Sequence, residues 1–242
     1  MPATVMDLHV HTTFGASDSQ LDPNELARVA TGIGLSGFTM TEHDRVWERH
    51  IVEGYRSVHP DLIAVPAMEV STDLGHILAY GLPHYVSGIR RATELRRVAD
   101  ELGAFLVVAH PFRHWFDPVM HLRAGKEPPE MVANRLAELP VFQLVDGVEV
   151  LNGANTEREN RIALEVALHL GKPGTGGSDA HSRSGIGIFT TVFERPVDTL
   201  SHLVAELHAG RFHAARGLPE GNLRPYTLND VDPATVQPDA GF

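Results

Sequence analysis

The sequence predicts a single α/β barrel, and three observations support this fold class. Short apolar runs typical of strands alternate with amphipathic helical patterns, in about seven strand–helix units. No long internal repeat or low-complexity linker interrupts the alternation before the C-terminal tail. The 242 residues are 43% hydrophobic, which is enough for one large core. Repeated units of this kind favour a parallel sheet, and about seven of them favour closure into a barrel.

The first half of the chain contains seven predicted elements. In chain order these are a strand at 4–12, a helix at 22–34, a strand at 37–43, a helix around 46–58, strands at 62–72 and 76–82, and a helix at 93–102. The helix at 22–34 has clear end signals, because Asp22 is a good N-cap, Pro23 suits the first turn and Gly34 suits the stop.

The second half continues the alternation and then loses it. In chain order it has a strand at 104–111, helical segments around 117–138, a strand at 147–153, a helix at 156–171, a strand and loop at 173–182, a strand at 189–194, a helix at 197–209 and a strand at 211–217. Residues 218–242 are Pro-rich and unpatterned. We therefore expect a barrel domain at 1–217 and a tail at 218–242, packed on the barrel or trailing from it.

Composition excludes several classes of function. The chain has no Cys, which removes disulfides, thiolate nucleophiles and Cys-based zinc sites. No segment approaches the roughly 20 apolar residues of a membrane span, and no secretory signal is visible, so we expect a cytoplasmic protein without a membrane partner. The net charge of −11, from 20 basic and 31 acidic residues, opposes stable binding of long nucleic acid. Bound divalent cations would reverse this sign locally.

Histidines and acids collect at the predicted strand ends. His9 and His11 lie on the same face of the first strand, because side chains alternate along a strand. In α/β barrels the C-terminal strand ends converge on the site of chemistry. The residues at or just after these ends are His9, His11, Asp18, His43, Asp44, Glu69, His110, Glu149, Asp179 and His181, and His76 opens the strand that follows Glu69. Imidazole and carboxylate ligands in this combination suit Zn²⁺, Mn²⁺ or Fe²⁺.

The motifs at these ends resemble one known family. They are HxH in the first strand, TEHD at 41–44, a Glu at 69, AHP at 109–111 and SDAH at 178–181. Together they resemble the PHP (polymerase and histidinol phosphatase) family, from Met6 to about Gly187. The resemblance implies a distorted (β/α)7 TIM-like barrel, a cluster of two or three divalent metal ions (Zn, Mn or Fe) at the C-terminal strand ends, and phosphoester hydrolysis. TEHD departs from the more usual TDHD by one methylene at Glu42, to which we assign no role.

The resemblance also assigns metal ligands, residue by residue. Nine positions match the full complement for three ions. The implied sets are His9, His11, Glu69 and Asp179 for one ion, the bridging Glu69 with His76 and His110 for a second, and Asp18, His43 and His181 for a third.

Five further residues are candidates around this cluster. Asp7 and Glu149 are each open between a metal ligand and a partner that orients a ligand; a solvated carboxylate is also open for Asp7. Asp44 is a candidate for orienting an imidazole, for a solvated carboxylate, or for the acid that protonates the leaving group, a role that a histidine of the cluster could also fill. Arg113 and Arg183 begin loops above the same rim, and we expect one of them to contact the substrate phosphate.

The expected reaction is hydrolysis by a metal-bridged hydroxide, with no protein nucleophile. A small phosphorylated metabolite or mononucleotide is the expected substrate, and short oligonucleotides rank behind it. One alternative is an amidohydrolase-type C–N hydrolase, many of which bridge two metals with a carboxylated Lys. Lys126 and Lys172 are the two lysines of the chain, and neither ends a strand. A non-catalytic metal-binding domain is the third interpretation.

Overall fold

The computed structural model describes residues 4–115 and 132–230. Within them, ten strands form one curled sheet: β1 (Thr4–Val10), β2 (Gly37–His43), β3 (Ile63–Thr72), β4 (Gly75–Tyr80), β5 (Phe105–Val108), β6 (Gly147–Asn152), β7 (Gly174–Gly177), β8 (Phe189–Phe193), β9 (Phe212–Arg216) and β10 (Arg224–Pro225). The described helices are α1 (Pro23–Ile33), α2 (Arg49–Val58), α3 (Ala92–Leu102), α4 (Ala133–Leu136), α5 (Glu157–Leu170) and α6 (Leu200–Ala209). Three short 3-10 turns lie at Pro140–Gln143, Arg183–Gly185 and Leu228–Asp230.

The ends of the first helix follow the signals in its sequence. The Asp22 carboxylate accepts hydrogen bonds from the backbone N–H groups of Asn24 and Glu25, and Gly34 ends the helix in the left-handed conformation. Most of the helical segment predicted around 117–138 lies outside the described residues, and α4 is its described part. In the predicted tail, β10 pairs with β9.

Strand direction determines which residues reach the rim. β1, β2 and β3 run parallel, as do β5, β6 and β7, whereas β4 is antiparallel to both of its neighbours. The first residues of β4 therefore lie at the same rim as the last residues of β3 and β5. For this reason His76, the second residue of β4, lies beside Glu69 near the end of β3.

The curled sheet closes where β7 reaches β1. Val10 and Ala180 form a parallel bridge, the Asp179 N–H donates to the His9 carbonyl at 2.7 Å, and the His11 N–H donates to the Ala180 carbonyl at 3.0 Å. Earlier along β1, Thr4, Val5 and Met6 pair antiparallel with β8, and β9 and β10 follow β8 in the sheet. This architecture confirms the predicted distorted TIM-like barrel.

Both faces of the strands carry buried apolar side chains. In β3, Val65 and Ala67 belong to one buried cluster, and Met68 and Val70 belong to another. Covering helices and loops are needed for a sheet that is buried on both faces. Among the described residues, no helix is both long enough and apolar enough to cross a membrane.

A glycine in β7 permits the close approach of β8. A Cβ at Gly176 would lie well inside van der Waals contact with the carbonyl of Thr190. We expect Gly176→Ala to lower the free energy of unfolding by about 1–3 kcal/mol or more, because backbone must shift. The matched change Gly32→Ala, in an open helical position of α1, is expected to raise it by about 0.5–1 kcal/mol. Urea denaturation followed by circular dichroism measures both, and a Gly176→Ala variant as stable as wild type would contradict this packing.

Candidate metal centre

The nine predicted metal ligands lie together at one rim of the barrel. Four groups of three side chains each bring their ligand atoms within 4.8 Å of one another. These groups are His9–His11–Glu69, His9–His110–Asp179, His43–Glu69–His76 and His11–His43–His181. The ninth residue, Asp18, adjoins the last group.

The first predicted ligand set converges on one point. His9 Nε2 and His11 Nε2 are 3.0 Å apart, and each lies 3.1–3.5 Å from Glu69 Oε2 and Asp179 Oδ1. All four side chains are buried. Metal–ligand bonds of about 2.0–2.2 Å place neighbouring ligand atoms roughly 3.0–3.5 Å apart. The four atoms therefore fit a divalent transition metal in donor type and in spacing.

The two oxygens of Glu69 face different groups. Oε2 lies 3.1 Å from His11 Nε2 and 3.1 Å from His43 Nδ1. Oε1 lies 2.8 Å from His76 Nδ1 and 2.9 Å from His110 Nε2. One carboxylate thus touches two separate ligand sets, which is the arrangement expected of a bridging ligand.

The third predicted set is the most exposed of the three. Asp18 Oδ2 lies 3.4 Å from His43 Nε2 and 3.5 Å from His181 Nε2, and the Asp18 side chain is exposed. His181 Nδ1 is 3.0 Å from the carbonyl of Asp179, so this nitrogen carries the hydrogen and leaves Nε2 free toward Asp18. The His11 ring stacks against those of His43 and His181, with centroids 4.4 Å apart in each pair.

The buried charges depend on one another. Burial would lower the pKa of His9, but the charges of Asp179, Glu149 and Glu69 raise its pKa well above the ordinary value. Burial would raise the pKa of Glu69, but the charge of His9 and a hydrogen bond from His11 help to hold its pKa well below the usual range. Clustered buried carboxylates require positive partners, and divalent cations would supply that charge.

Glu149 has the geometry of a partner that orients a ligand. Its Oε1 lies 2.9 Å from His9 Nδ1, which leaves His9 Nε2 directed at the ligand cluster. Its Oε2 accepts hydrogen bonds from the backbone N–H of His110 at 2.8 Å and from Asn152 Nδ2 at 2.9 Å. Both carboxylate oxygens are therefore engaged by residues beside the cluster.

Asp7 connects backbone segments, and its hydrogen-bond partners among the described residues include no imidazole. Its carboxylate accepts hydrogen bonds from the backbone N–H groups of His9, Ser178 and Gly187. Burial raises the pKa of Asp7 to about 6, although these hydrogen bonds favour the ionised form. Its contacts join β1 to the loops that follow β7.

Asp44 follows β2 and has φ of 50°. Its Oδ1 accepts a hydrogen bond from the Ser71 N–H at 3.0 Å, and its Oδ2 lies 2.6 Å from Arg90 Nη2. Both oxygens of the Asp44 carboxylate are therefore engaged by neighbouring residues. The role of acid for the leaving group stays a prediction for this residue.

The two predicted phosphate-binding arginines have different surroundings. Arg113 donates from Nε to Asn155 at 3.1 Å and from Nη2 to Asn152 at 2.8 Å, and it also contacts the Asp179 carboxylate. It lines the cavity that contains the ligand cluster. Arg183 is exposed, in the 3-10 turn that follows the SDAH motif.

Sequence reasoning missed the part played by Glu42. This fully buried carboxylate accepts hydrogen bonds from the Thr12 N–H at 3.1 Å, the Thr12 hydroxyl at 2.5 Å and Trp47 Nε1 at 2.9 Å. A Cβ at Gly15 would collide with the Glu42 side chain. Glu42 therefore holds the loop that leads from β1 to Asp18. The signal in the sequence was the extra methylene of TEHD together with Gly15.

We expect Glu42→Gln to lower the affinity for the ion held by Asp18, His43 and His181 by about tenfold. Glutamine has the same size as glutamate, but its amide nitrogen would face a backbone or indole N–H that now donates to an oxygen. The lost hydrogen bond loosens the loop. Loss of residues that support metal ligands commonly lowers metal affinity about 10- to 100-fold. Competition with a chelator, read by elemental analysis, measures the change. The exposed Glu53→Gln is the matched control, and unchanged affinity for every ion in Glu42→Gln would show that Glu42 serves the fold alone.

Comparison with known proteins shows a similarity to the PHP family outside the strand-end motifs. Residues 157–212, from α5 to the start of β9, match the family model described as PHP-associated. A curated relative, the error-prone DNA polymerase of Cutibacterium acnes, is 30% identical over 102 residues, which are 42% of this chain and 7% of that protein. The chain thus spans a small part of that relative's length.

Two solved structures share the fold. PsfC from Pseudomonas syringae superposes with a TM-score of 0.61 and 19% identity, over 91% of this chain and 95% of that one. A two-domain protein containing a predicted PHP-like metal-dependent phosphoesterase, from Bacteroides vulgatus, superposes with a TM-score of 0.58 and 18% identity, over 88% of this chain and 64% of that one. The PHP-associated match at residues 157–212 and the motifs at the rim support a relationship of this chain to the PHP domain family, and the two solved structures share its fold.

Proposed function

We propose that the protein is a metal-dependent phosphoesterase that hydrolyses a small phosphorylated metabolite or mononucleotide. The observation that carries the proposal is the position of Glu69, whose two oxygens touch two separate sets of imidazoles. A carboxylate shared in this way is characteristic of sites that hold two metals close together, and such sites are common among phosphatases and nucleases.

The residues that would hold the ions are the nine described above, in the three sets that the sequence resemblance implies. Their nitrogen and oxygen donors accept Zn²⁺, Mn²⁺ or Fe²⁺. When bound, divalent cations lower the pKa of coordinated water and neutralise the charge on phosphate oxygens. Glu149 would keep the His9 ring in the orientation that the ligand set needs, through its contact with Nδ1.

The cavity at the cluster has room for a phosphate group and its ester oxygen. Its volume is about 350 Å³, and it is open to solvent beside exposed Asp18. Arg113 lines this cavity with its guanidinium held by Asn152 and Asn155. A guanidinium presents several N–H donors in a plane and binds phosphate oxygens bidentately. We therefore propose Arg113 as the arginine that contacts the substrate phosphate.

The rival C–N hydrolase interpretation lacks support at the rim. Lys172 precedes β7 and donates from Nζ to the Val145 carbonyl at 2.7 Å, just before β6 begins, so it lies at the end of these strands opposite to the cluster. Lys126 lies outside the described residues. The bridging position is filled by Glu69. The net charge of −11 favours a small phosphorylated substrate over long nucleic acid.

We expect Glu69→Gln to lower metal affinity and phosphoesterase activity by about a hundredfold or more, because even the partners behind metal ligands contribute 10–100-fold. Elemental analysis and hydrolysis of p-nitrophenyl phosphate and its bis-ester, after loading with Mn²⁺, measure the two quantities. Glu138→Gln, at an exposed site, is the matched control. Full metal content in the Glu69→Gln variant would refute the bridging role, and a metal-loaded wild type inert toward both esters would refute the proposed activity.

The two arginines give a second prediction. We expect Arg113→Ala to reduce kcat/KM by about 10- to 100-fold, since it removes charged hydrogen bonds to phosphate, and Arg183→Ala to stay near wild type. Steady-state kinetics on the metal-loaded proteins measure both, with metal content as the companion reading. The reverse pattern would assign the phosphate contact to Arg183, and loss of metal from Arg113→Ala would show that its contact with Asp179 supports the cluster instead.

A further inference from the structure

An apolar cleft lies directly beside the cavity of the metal ligands. Its volume is about 410 Å³, within the range of pockets that bind small molecules. The apolar part of its lining includes Leu74, Trp115, Leu139, Pro140, Val141 and Phe142. Three residues, His76, His110 and Arg113, line both the cleft and the metal cavity. The two spaces are therefore adjacent, with these three polar residues at their common boundary and apolar walls in the cleft beyond it.

One turn joins the polar boundary to the apolar wall. After β5, the Arg113 N–H donates to the His110 carbonyl at 3.0 Å, and the Trp115 N–H donates to the Phe112 carbonyl at 3.1 Å. The Phe112 ring is fully buried and packs edge-on against the Trp115 indole, with centroids 5.7 Å apart. Arg113 and the half-buried indole thus project from one short, internally bonded segment. A ligand with its phosphate at Arg113 would place the adjoining group near this indole.

The chemistry of the cleft selects the kind of group that fits. Its walls offer aromatic and aliphatic surface, and removing such surface from water favours an apolar occupant. A rigid indole favours a flat ring, because offset or edge-on packing of aromatic rings adds to the gain from area. The charged and hydrogen-bonding groups lie on the side shared with the metal cavity, which suits a ligand that is anionic at one end and apolar at the other.

We infer that this cleft binds a planar apolar group of the phosphoester, a nucleobase or an aryl ring, while its phosphate occupies the metal cavity. The inference rests on the proposed phosphoesterase function and narrows its substrate class. The cleft would act as the specificity subsite, because it contacts the part of the substrate that does not react. Trp115 and Leu74 are its specificity-determining residues.

Binding of phosphonates tests the cleft without any reaction. Calorimetry on the Mn²⁺-loaded protein compares 3-phenylpropylphosphonate, hexylphosphonate and propylphosphonate. We expect the phenyl compound to bind about 10- to 100-fold more tightly than the propyl compound, as burial of a ring predicts, and more tightly than the hexyl compound. Equal affinity of the phenyl and propyl compounds would overturn the inference, and equal affinity of the phenyl and hexyl compounds would overturn its planar part.

Substitutions in the cleft test whether the preference for the phenyl compound arises there. We expect Trp115→Ala and Leu74→Ser each to reduce the preference for the phenyl compound several-fold, with the affinity for propylphosphonate and the metal content unchanged. Leu74 is exposed, so its substitution leaves the core intact if Trp115→Ala proves unstable. Leu168→Ser, an exposed leucine on α5, is the matched control. A preference that survives both cleft substitutions would show that the ring binds elsewhere.

Hydrolysis assays distinguish a nucleobase from an aryl ring in the cleft. They also distinguish failure of the proposed subsite from failure of the proposed phosphoesterase function. Adenosine 5′-monophosphate and ribose 5-phosphate share a similar leaving alcohol, as do 3-phenylpropyl phosphate and propyl phosphate. A higher kcat/KM for the ringed member of either pair, lost in Leu74→Ser, supports the subsite and shows which ring it accepts. Hydrolysis of all four esters without preference overturns the subsite and keeps the proposed function. Phosphonate binding without hydrolysis of any ester refutes the function and leaves the subsite standing on the calorimetry.

Discussion

The arrangement at the rim depends on backbone hydrogen bonds that join β1 to the segment after β7. Two of them connect His9 and His11 to Asp179 and Ala180, at 2.7 and 3.0 Å. Since buried N–H and C=O groups that lose their partners cost free energy, these bonds fix the register of the closure. Gly177 allows the approach, because a Cβ there would collide with His9. The register places the HxH imidazoles against the Asp179 carboxylate.

That closure concentrates charge in a small buried volume. Glu69, Glu149 and Asp179 are buried there, and imidazoles occupy the space between them. Asp179 illustrates the balance: burial would raise its pKa, but the charges of His9 and Arg113 contribute to holding it well below the ordinary range. Two of the four non-glycine residues with positive φ in the described chain, His110 and Asp179, lie inside the cluster. Backbone strain of this kind persists where the surroundings specify a functional geometry.

Much of this site could be predicted from the sequence, because parallel strands bring their C-terminal ends to one rim. The alternation of His9 and His11 and the acids at the ends of other strands required no knowledge of loops. His76 shows where such reasoning stops. Its place at the start of a strand was visible, but its contact with Glu69 arises because β4 runs antiparallel, and strand direction was not readable from the pattern.

Contacts between loops that are distant along the chain could not be predicted from the sequence. Glu42 holds the residues before Asp18 through Thr12, which lies 30 positions away along the chain, and Arg113 meets Asn152 and Asn155 about 40 positions further on. Propensity and periodicity describe neighbours in sequence, so they contain no information on these pairings. The apolar cleft belongs to the same class, since its walls come from segments on both sides of residues 116–131.

The cleft and the cluster therefore depend on opposite ends of one short turn, from His110 to Trp115. His110 is held to the cluster by the bond from its N–H to Glu149 and by its contact with Glu69, whereas Trp115 packs on the buried Phe112. The metal-ligand end of the turn is specified by charge, and the other end by apolar packing. Metal binding can then persist while the apolar wall changes in shape. Under the proposed function, such a division would allow the same metal centre to serve esters that differ only in the group beyond the phosphate.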